Sequence, residues 1–129
     1  MIGGTMFTTF LVHLVSTVGD FRPVDVPTAR VIEARRFGIA TLLDLIFTFG
    51  QNDFQPKQFC SVSVNDVVLI PVPNGDGDRT IATRYYRIDF AGFTPMTISE
   101  YRRHAERITA ERERREVEYA ARMAGKDIG

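Results

Sequence analysis

The sequence has almost no cysteine: Cys60 stands alone. That excludes a disulfide within the chain and any metal framework built on cysteine pairs, and it fits a reducing compartment. The sequence also lacks an excess of either charge. Lys+Arg and Asp+Glu number 16 each, whereas dedicated nucleic-acid or membrane-surface binders carry a basic surplus. There is no apolar run long enough to span a bilayer; residues 37–50 are the nearest approach, and Asp44 interrupts them. The apolar N-terminus "MIGGTMFTTFLVHLVSTVG" has no Lys or Arg ahead of it, as a signal peptide would. Met6 is a second candidate start beside Met1. There is no G-x-S-x-G, no H-E-x-x-H and no Gly-rich phosphate loop. These absences predict a soluble, cytoplasmic protein with no membrane association, no metal, no cofactor and no enzymatic activity.

What is present is one domain's worth of chain. With 129 residues, 44% of them hydrophobic and 25% charged, it can bury a core without staples. "MFTTFLVHLVS", residues 6–16, alternates Phe10, Val12 and Leu14 against Leu11, His13 and Val15, the period of a strand. "GDFRPVDVPT" has two prolines and reads as a loop or extended crossing segment. "ARVIEARRF" reads as a short strand through Val31 and Ile32. "TLLDLIFTFGQND" reads as a short helix with Thr41 at its cap, Gly50 at its end and Leu42, Leu45, Ile46 and Phe49 on one face. Its β-branched and aromatic content makes a strand the rival reading. "QNDFQPKQF" is a loop.

"SVSVNDVVLIP", residues 61–71, changes pattern half-way. Val62 and Val64 alternate with Ser61 and Ser63, as on a half-buried strand. Asn65-Asp66 is a turn or bulge signal, since both side chains bond nearby backbone N–H groups. Val67 to Val72 is then apolar on both faces, the mark of a central strand. "PNGDGD" is a hairpin apex and "RTIATRYYRIDF" its return strand. Tyr86, Ile88 and Phe90 share one face; Thr83, Tyr85, Arg87 and Asp89 share the other, expected to be solvated. "AGFTP", with Gly92, closes that strand.

The C-terminal segment is a long helix. Thr97 to Glu100 is a capping box, and Gly125 is the expected stop. Ile98, Tyr101, Ala105 and Ile108 form a docking stripe. The stripe vanishes into "TAERERRE", laced with i,i+4 pairs such as Glu111–Arg115 and Glu118–Arg122. It resumes in another phase at Val117, Ala120, Ala121 and Ala124. The expected architecture is α+β: residues 1–96 as a core with a small, mostly antiparallel sheet or partly closed barrel and one short helix, and 97–125 as a long helix packed on the core or projecting from it.

Residues 42–93 resemble the YodL-like domain, a small bacterial module often met in mobile genetic elements. The resemblance is carried by Leu43-Asp44-Leu45-Ile46-Phe47, by Ser61-Val62-Ser63-Val64-Asn65-Asp66-Val67-Val68-Leu69-Ile70, and by Tyr86-Arg87-Ile88-Asp89-Phe90-Ala91-Gly92-Phe93. Val62 departs from the usual Leu, and the long apex and charged C-terminal helix are this chain's own. The resemblance covers less than half the chain. It implies an accessory or interaction module without catalytic residues or cofactor.

The candidate chemistry is sparse. Asn74, Asp76 and Asp78 alternate like the start of a calcium loop, but no closing carboxylate follows at a suitable distance, so a hairpin tip is the simpler reading. "RYYR" splits its cations and aromatics between two faces, so a strand with one exposed Tyr-Arg face is simpler than a single-stranded nucleic-acid surface. His13 reads as a buried or edge histidine and His104 as an exposed one. Cys60 would be reactive only beside a cation such as Lys57. Asp66 and Asp89 could act as paired carboxylates; turn-bonding aspartates are the commoner case. The expected function is a protein-interaction module. Tyr85, Arg87, Arg102, Arg103, Val117, Ala120 and Ala121 are its candidate contacts, and a homodimer through the distal helix is its simplest assembly. The alternative is a nucleic-acid-binding accessory protein that joins Arg84, Arg87, Arg102 and Arg103 into one basic patch.

Overall fold

A computed structural model describes residues 6–51, 61–73 and 81–128. The calcium-like apex at residues 74–78, the loop after Gln51, Lys57 and Cys60 lie outside the described residues. Among the described residues five strands form one antiparallel sheet that stays open: β1 (Phe7–His13), β2 (Phe21–Pro27), β3 (Val67–Pro73), β4 (Ile81–Asp89) and β5 (Gly92–Met96), in the order β2-β1-β3-β4-β5. Helices α1 (Thr28–Phe37) and α2 (Ile39–Phe49) follow β2, and α3 (Ile98–Ile128) ends the chain. The architecture is α+β with a long C-terminal helix, as expected.

The pattern change at Asn65-Asp66 has its cause in this layering. Residues 61–66 form a turn rather than a strand: Asn65 takes φ 76° and Asp66 N–H bonds the Ser63 carbonyl. Val62 is buried in the main core, its N–H bonded to the Gly50 carbonyl, while Val64 is only half-buried. From Val67 the chain enters the middle of the sheet, where both faces are covered. Val68 and Ile70 join Phe10, Val12, Val24, Val26, Tyr86 and Ile88 against α1 and α2. Val67 joins Val15 and Ile108 beneath α3, flanked by Leu69, Tyr85, Tyr101 and Ala105. A fully buried Val or Ile of this kind contributes about 1.5–3 kcal/mol.

Several expectations are corrected. "FRPVDVP" is a paired strand, β2, at one edge of the sheet, the place where prolines are tolerated because an edge has N–H groups to spare. "TARVIEARRF" is a helix. Its Ala, Arg and Glu favour helix, and Val31 and Ala34, three apart, point together into the core while Ile32 is exposed; the pair Val31-Ile32 alone was misleading. The "TLLDLIF" helix starts at Ile39 after Gly38 rather than at a Thr41 cap, and it buries Leu43 besides Leu42 and Ile46. "AGFTP" does not close β4. Phe90-Ala91 is a two-residue turn, and Gly92, at φ 140°, opens β5. Phe90 therefore leaves the buried face and is 96% exposed. Gly125 does not stop α3, which runs on to Ile128.

Candidate functional site

The capping box sets where α3 begins. Thr97 N–H donates to Glu100 Oε1 at 3.0 Å, and Glu100 N–H donates to Thr97 Oγ1 at 3.1 Å. The bond from the Thr97 N–H holds the Glu100 carboxyl below its ordinary pKa. From this start α3 crosses the second face of the sheet at one end only. The Tyr101 ring stacks on Tyr85 at 4.4 Å, and its hydroxyl lies 2.6 Å from His13 Nδ1. Ile108 is buried, whereas Ile98 is exposed and outside the docking stripe. Arg112 Nη1 reaches the Val15 carbonyl at 2.7 Å. The face of β4 carrying Tyr85 and Arg87, expected to be solvated, is thus half-buried under the helix.

A cleft of about 250 Å³ lies between β5 and the first turns of α3. Arg87, Arg103 and Arg107 line it with Thr94, Met96 and His104. Arg87 Nε is tied to Asp89 Oδ1 at 2.7 Å, and Thr94 donates its hydroxyl to the other oxygen of Asp89. The Arg87 bond, ahead of the one from Thr94, holds the Asp89 carboxyl below its usual range. His104, expected to be exposed, is buried. Its Nε2 lies 2.8 Å from the Asn65 carbonyl and so carries the proton, which leaves Nδ1 to accept from Arg107 Nη2 at 3.3 Å. Spacing alone hid this, because His104 sits in a charged stretch; it is one turn from Ile108 and joins the face that meets the Asn65 turn.

Asp66 and Asp89 are each engaged by partners of their own. Asp66 Oδ1 accepts from Ser16 N–H at 3.0 Å and Ser16 Oγ at 2.7 Å, and Oδ2 accepts from Ser63 N–H at 2.9 Å. Asp89 is occupied by Arg87 and Thr94. Among the described residues no cluster of three His, Cys, Asp or Glu side chains could hold a metal. Nor is any described helix long and apolar enough to cross a membrane.

The remaining candidates lie apart from the cleft or at its rim. Arg84 lines a different hollow with Tyr85, Tyr86 and Pro95. Arg102 is exposed. Of the expected basic patch, Arg87 and Arg103 come together in the cleft, joined there by Arg107, which the sequence reading passed over, while Arg84 lines the adjoining hollow that shares Met96 and Glu100 with it. Beyond Arg112 every α3 residue from 113 to 125 is exposed. Val117, Ala120 and Ala121 stand there on one side of the helix, Val117 at 68% exposure, and Tyr119 and Met123 add a second apolar pair. Of the i,i+4 pairs, Glu111–Arg115 closes, at 4.0 Å. Comparison with protein-family models, curated proteins and solved structures finds no match to this chain.

Proposed function

We propose that the chain is a non-enzymatic, cytoplasmic protein-interaction module whose docking element is the distal half of α3. The observation that carries this reading is the stretch from residue 113 to 125, exposed at every position yet bearing Val117, Tyr119 and Met123. A helix of that length without tertiary contacts is marginal by itself, and its apolar side chains recur at i, i+3 and i+4, the spacing by which an amphipathic helix lays one face on a partner. The resemblance of residues 42–93 to the YodL-like domain adds an accessory role of the kind carried by mobile genetic elements. A homodimer through Val117, Ala120 and Ala121 is the simplest assembly, because closed two-fold pairs are the commonest and small alanines allow close helix approach. Light scattering on the full chain at tens of micromolar tests it. A dimeric mass that Val117→Glu returns to monomer supports the dimer. A monomeric mass unchanged by Val117→Glu rules it out and leaves a foreign protein, to be sought by pull-down from the native host with Val117→Glu as control.

The second reading, a nucleic-acid-binding accessory protein, is favoured by the convergence of Arg87, Arg103 and Arg107 on one cleft. It predicts salt-dependent binding of oligonucleotides; no binding at low salt removes it.

A further inference from the structure

The sheet ends at β5, and the register of β4 and β5 shows what that edge offers. Ile88 N–H donates to the Asp66 carbonyl at 2.9 Å, and the Ile88 carbonyl accepts from Asn65 N–H at 2.8 Å. Both main-chain groups of Ile88 are therefore spent toward the β3 side. In an antiparallel ladder two opposed residues either bond each other or both turn away. Phe93 is opposite Ile88, so its N–H and C=O turn outward, to the edge. Pro95, two residues on and opposite Tyr86, repeats the orientation with a carbonyl and no N–H. No described strand covers these groups. An edge of this kind is a template for another extended chain, and Pro95 limits the template to a short segment in one register.

A strand added there would send alternate side chains to opposite faces, and the two faces differ in chemistry. On the α2 side runs a groove of about 750 Å³, with apolar walls from Ile39, Leu43, Phe90, Phe93 and Pro95. Asp44 and Arg84 supply its charges. On the α3 side is the cationic cleft. There Arg87 is neutralised by Asp89, but Arg103 and Arg107 make no ion pair among the described residues. Among the described residues Glu100 is the one carboxylate lining the cleft; Thr97 holds it, and it lies within the field of Arg103.

We propose that the β5 edge binds an extended peptide in which apolar and acidic side chains alternate, the apolar ones in the α2 groove and the acidic ones against Arg103 and Arg107. Edge hydrogen bonds, groove and cleft are each used by one ligand only if its backbone is extended and its two faces are unlike. A nucleic acid would use the cleft and leave the Phe93 edge and the apolar groove uncovered. The site is separate from the distal half of α3 and does not depend on that half being a docking element.

The test uses the full chain and two dye-labelled, end-blocked synthetic peptides, one alternating valine with glutamate and one alternating valine with lysine, followed by fluorescence anisotropy. The valine–glutamate peptide should bind more tightly than its lysine counterpart and shift the Phe93 amide resonance. Arg103→Ala should weaken it by up to about fivefold, the order of an exposed ion pair, and Arg103→Glu should reverse the preference between the two peptides. N-methylation of alternate amides on the edge-facing side of the peptide should abolish binding. Val117→Glu should leave it unchanged, which separates this site from the distal helix. Equal or absent binding of the two peptides overturns the proposal, as does binding that survives N-methylation. Tighter, Arg103-dependent binding of a single-stranded oligothymidine that displaces the peptide also overturns it.

Discussion

His13 and Tyr101, 88 positions apart in sequence, are joined by a hydrogen bond of 2.6 Å between Nδ1 and the phenolic oxygen. The other ring nitrogen, Nε2, lies 3.0 Å from the Gly19 carbonyl. A carbonyl can only accept, so Nε2 carries the proton and Nδ1 accepts from the Tyr101 hydroxyl. Phe21 stacks on the imidazole at 4.4 Å, and burial raises the Tyr101 pKa above its ordinary value. This contact pins α3 to the end of β1. Tyr101→Phe keeps the stack on Tyr85 but leaves Nδ1 without its donor. The expected loss is about 1 kcal/mol, the net worth of one such bond, read as a lower urea midpoint with an unchanged slope.

The same histidine makes stability depend on pH. Burial holds its pKa below the ordinary 6.5, outweighing the raising effect of the Gly19 bond. The folded state therefore binds the proton less readily than the unfolded chain does. The contribution is fully present above 6.5, and it is lost as pH falls from there toward the folded value. Urea unfolding at a series of pH values below neutrality should show that decline, and His13→Gln should flatten it. An NMR titration should place the His13 midpoint below that of an unfolded reference peptide.

Asp66 closes the turn that admits the chain to the centre of the sheet. Its two oxygens accept from Ser16 and Ser63 at 2.7–3.0 Å, and the side chain has no exposure to water. Asp66→Ala should cost about 1–3 kcal/mol, the penalty for stranding buried donors. Asp66→Asn, which keeps one acceptor, should cost less. Equal melting temperatures for Asp66→Ala and the parent would show that the bend is held by the backbone alone.

Much of this geometry is legible in the sequence, and the failures share a cause. Strict alternation through Phe10, Val12 and Leu14 marks β1, and the Thr97–Glu100 box marks the start of α3, because both signals are local. The double-sided run at Val67 to Ile70 announces a covered strand. What periodicity could not separate were short segments whose identity comes from their neighbours. Val31 and Ile32 look like a strand until Ala34 is seen to share a face with Val31. Pro23 and Pro27 look like a loop until an edge position makes them harmless. The cleft was missed for a similar reason: Arg87, Arg103 and Arg107 come from a strand and a helix, and only the antiparallel return of β5 brings them together.

Gly50 is set by close approach. A β-carbon there would lie 2.6 Å from Val62 Cγ2, and both residues are buried. Gly50→Ala should therefore destabilise by about 1–3 kcal/mol, as overpacking does. Val62→Ala removes the obstructing methyls, so the double variant should lose less than the two single losses added together. A double-mutant cycle in urea gives that coupling directly; strict additivity would mean that the clash is relieved elsewhere.

The two halves of α3 should differ sharply in hydrogen exchange. From Tyr101 to Arg112 the helix is anchored by the Tyr85 stack, the His104 bond to Asn65, buried Ile108 and the Arg112 bond to Val15. From 113 onward the described side chains are exposed as far as Gly125, and the Glu111–Arg115 pair at 4.0 Å adds only about 0.2–0.5 kcal/mol. A segment supported by so little opens locally without unfolding the domain. At low protein concentration, amides from 101 to 112 should approach the protection of the β3 core, while those beyond 116 exchange much faster. If the distal half docks on a second copy, its protection should rise with concentration and collapse in Val117→Glu, with the anchored half unchanged. Fast exchange beyond 116 at every concentration would exclude the homodimer. Uniform protection along all of α3 at low concentration would show that the distal half is stabilised without any partner, and the interaction reading would lose its main support.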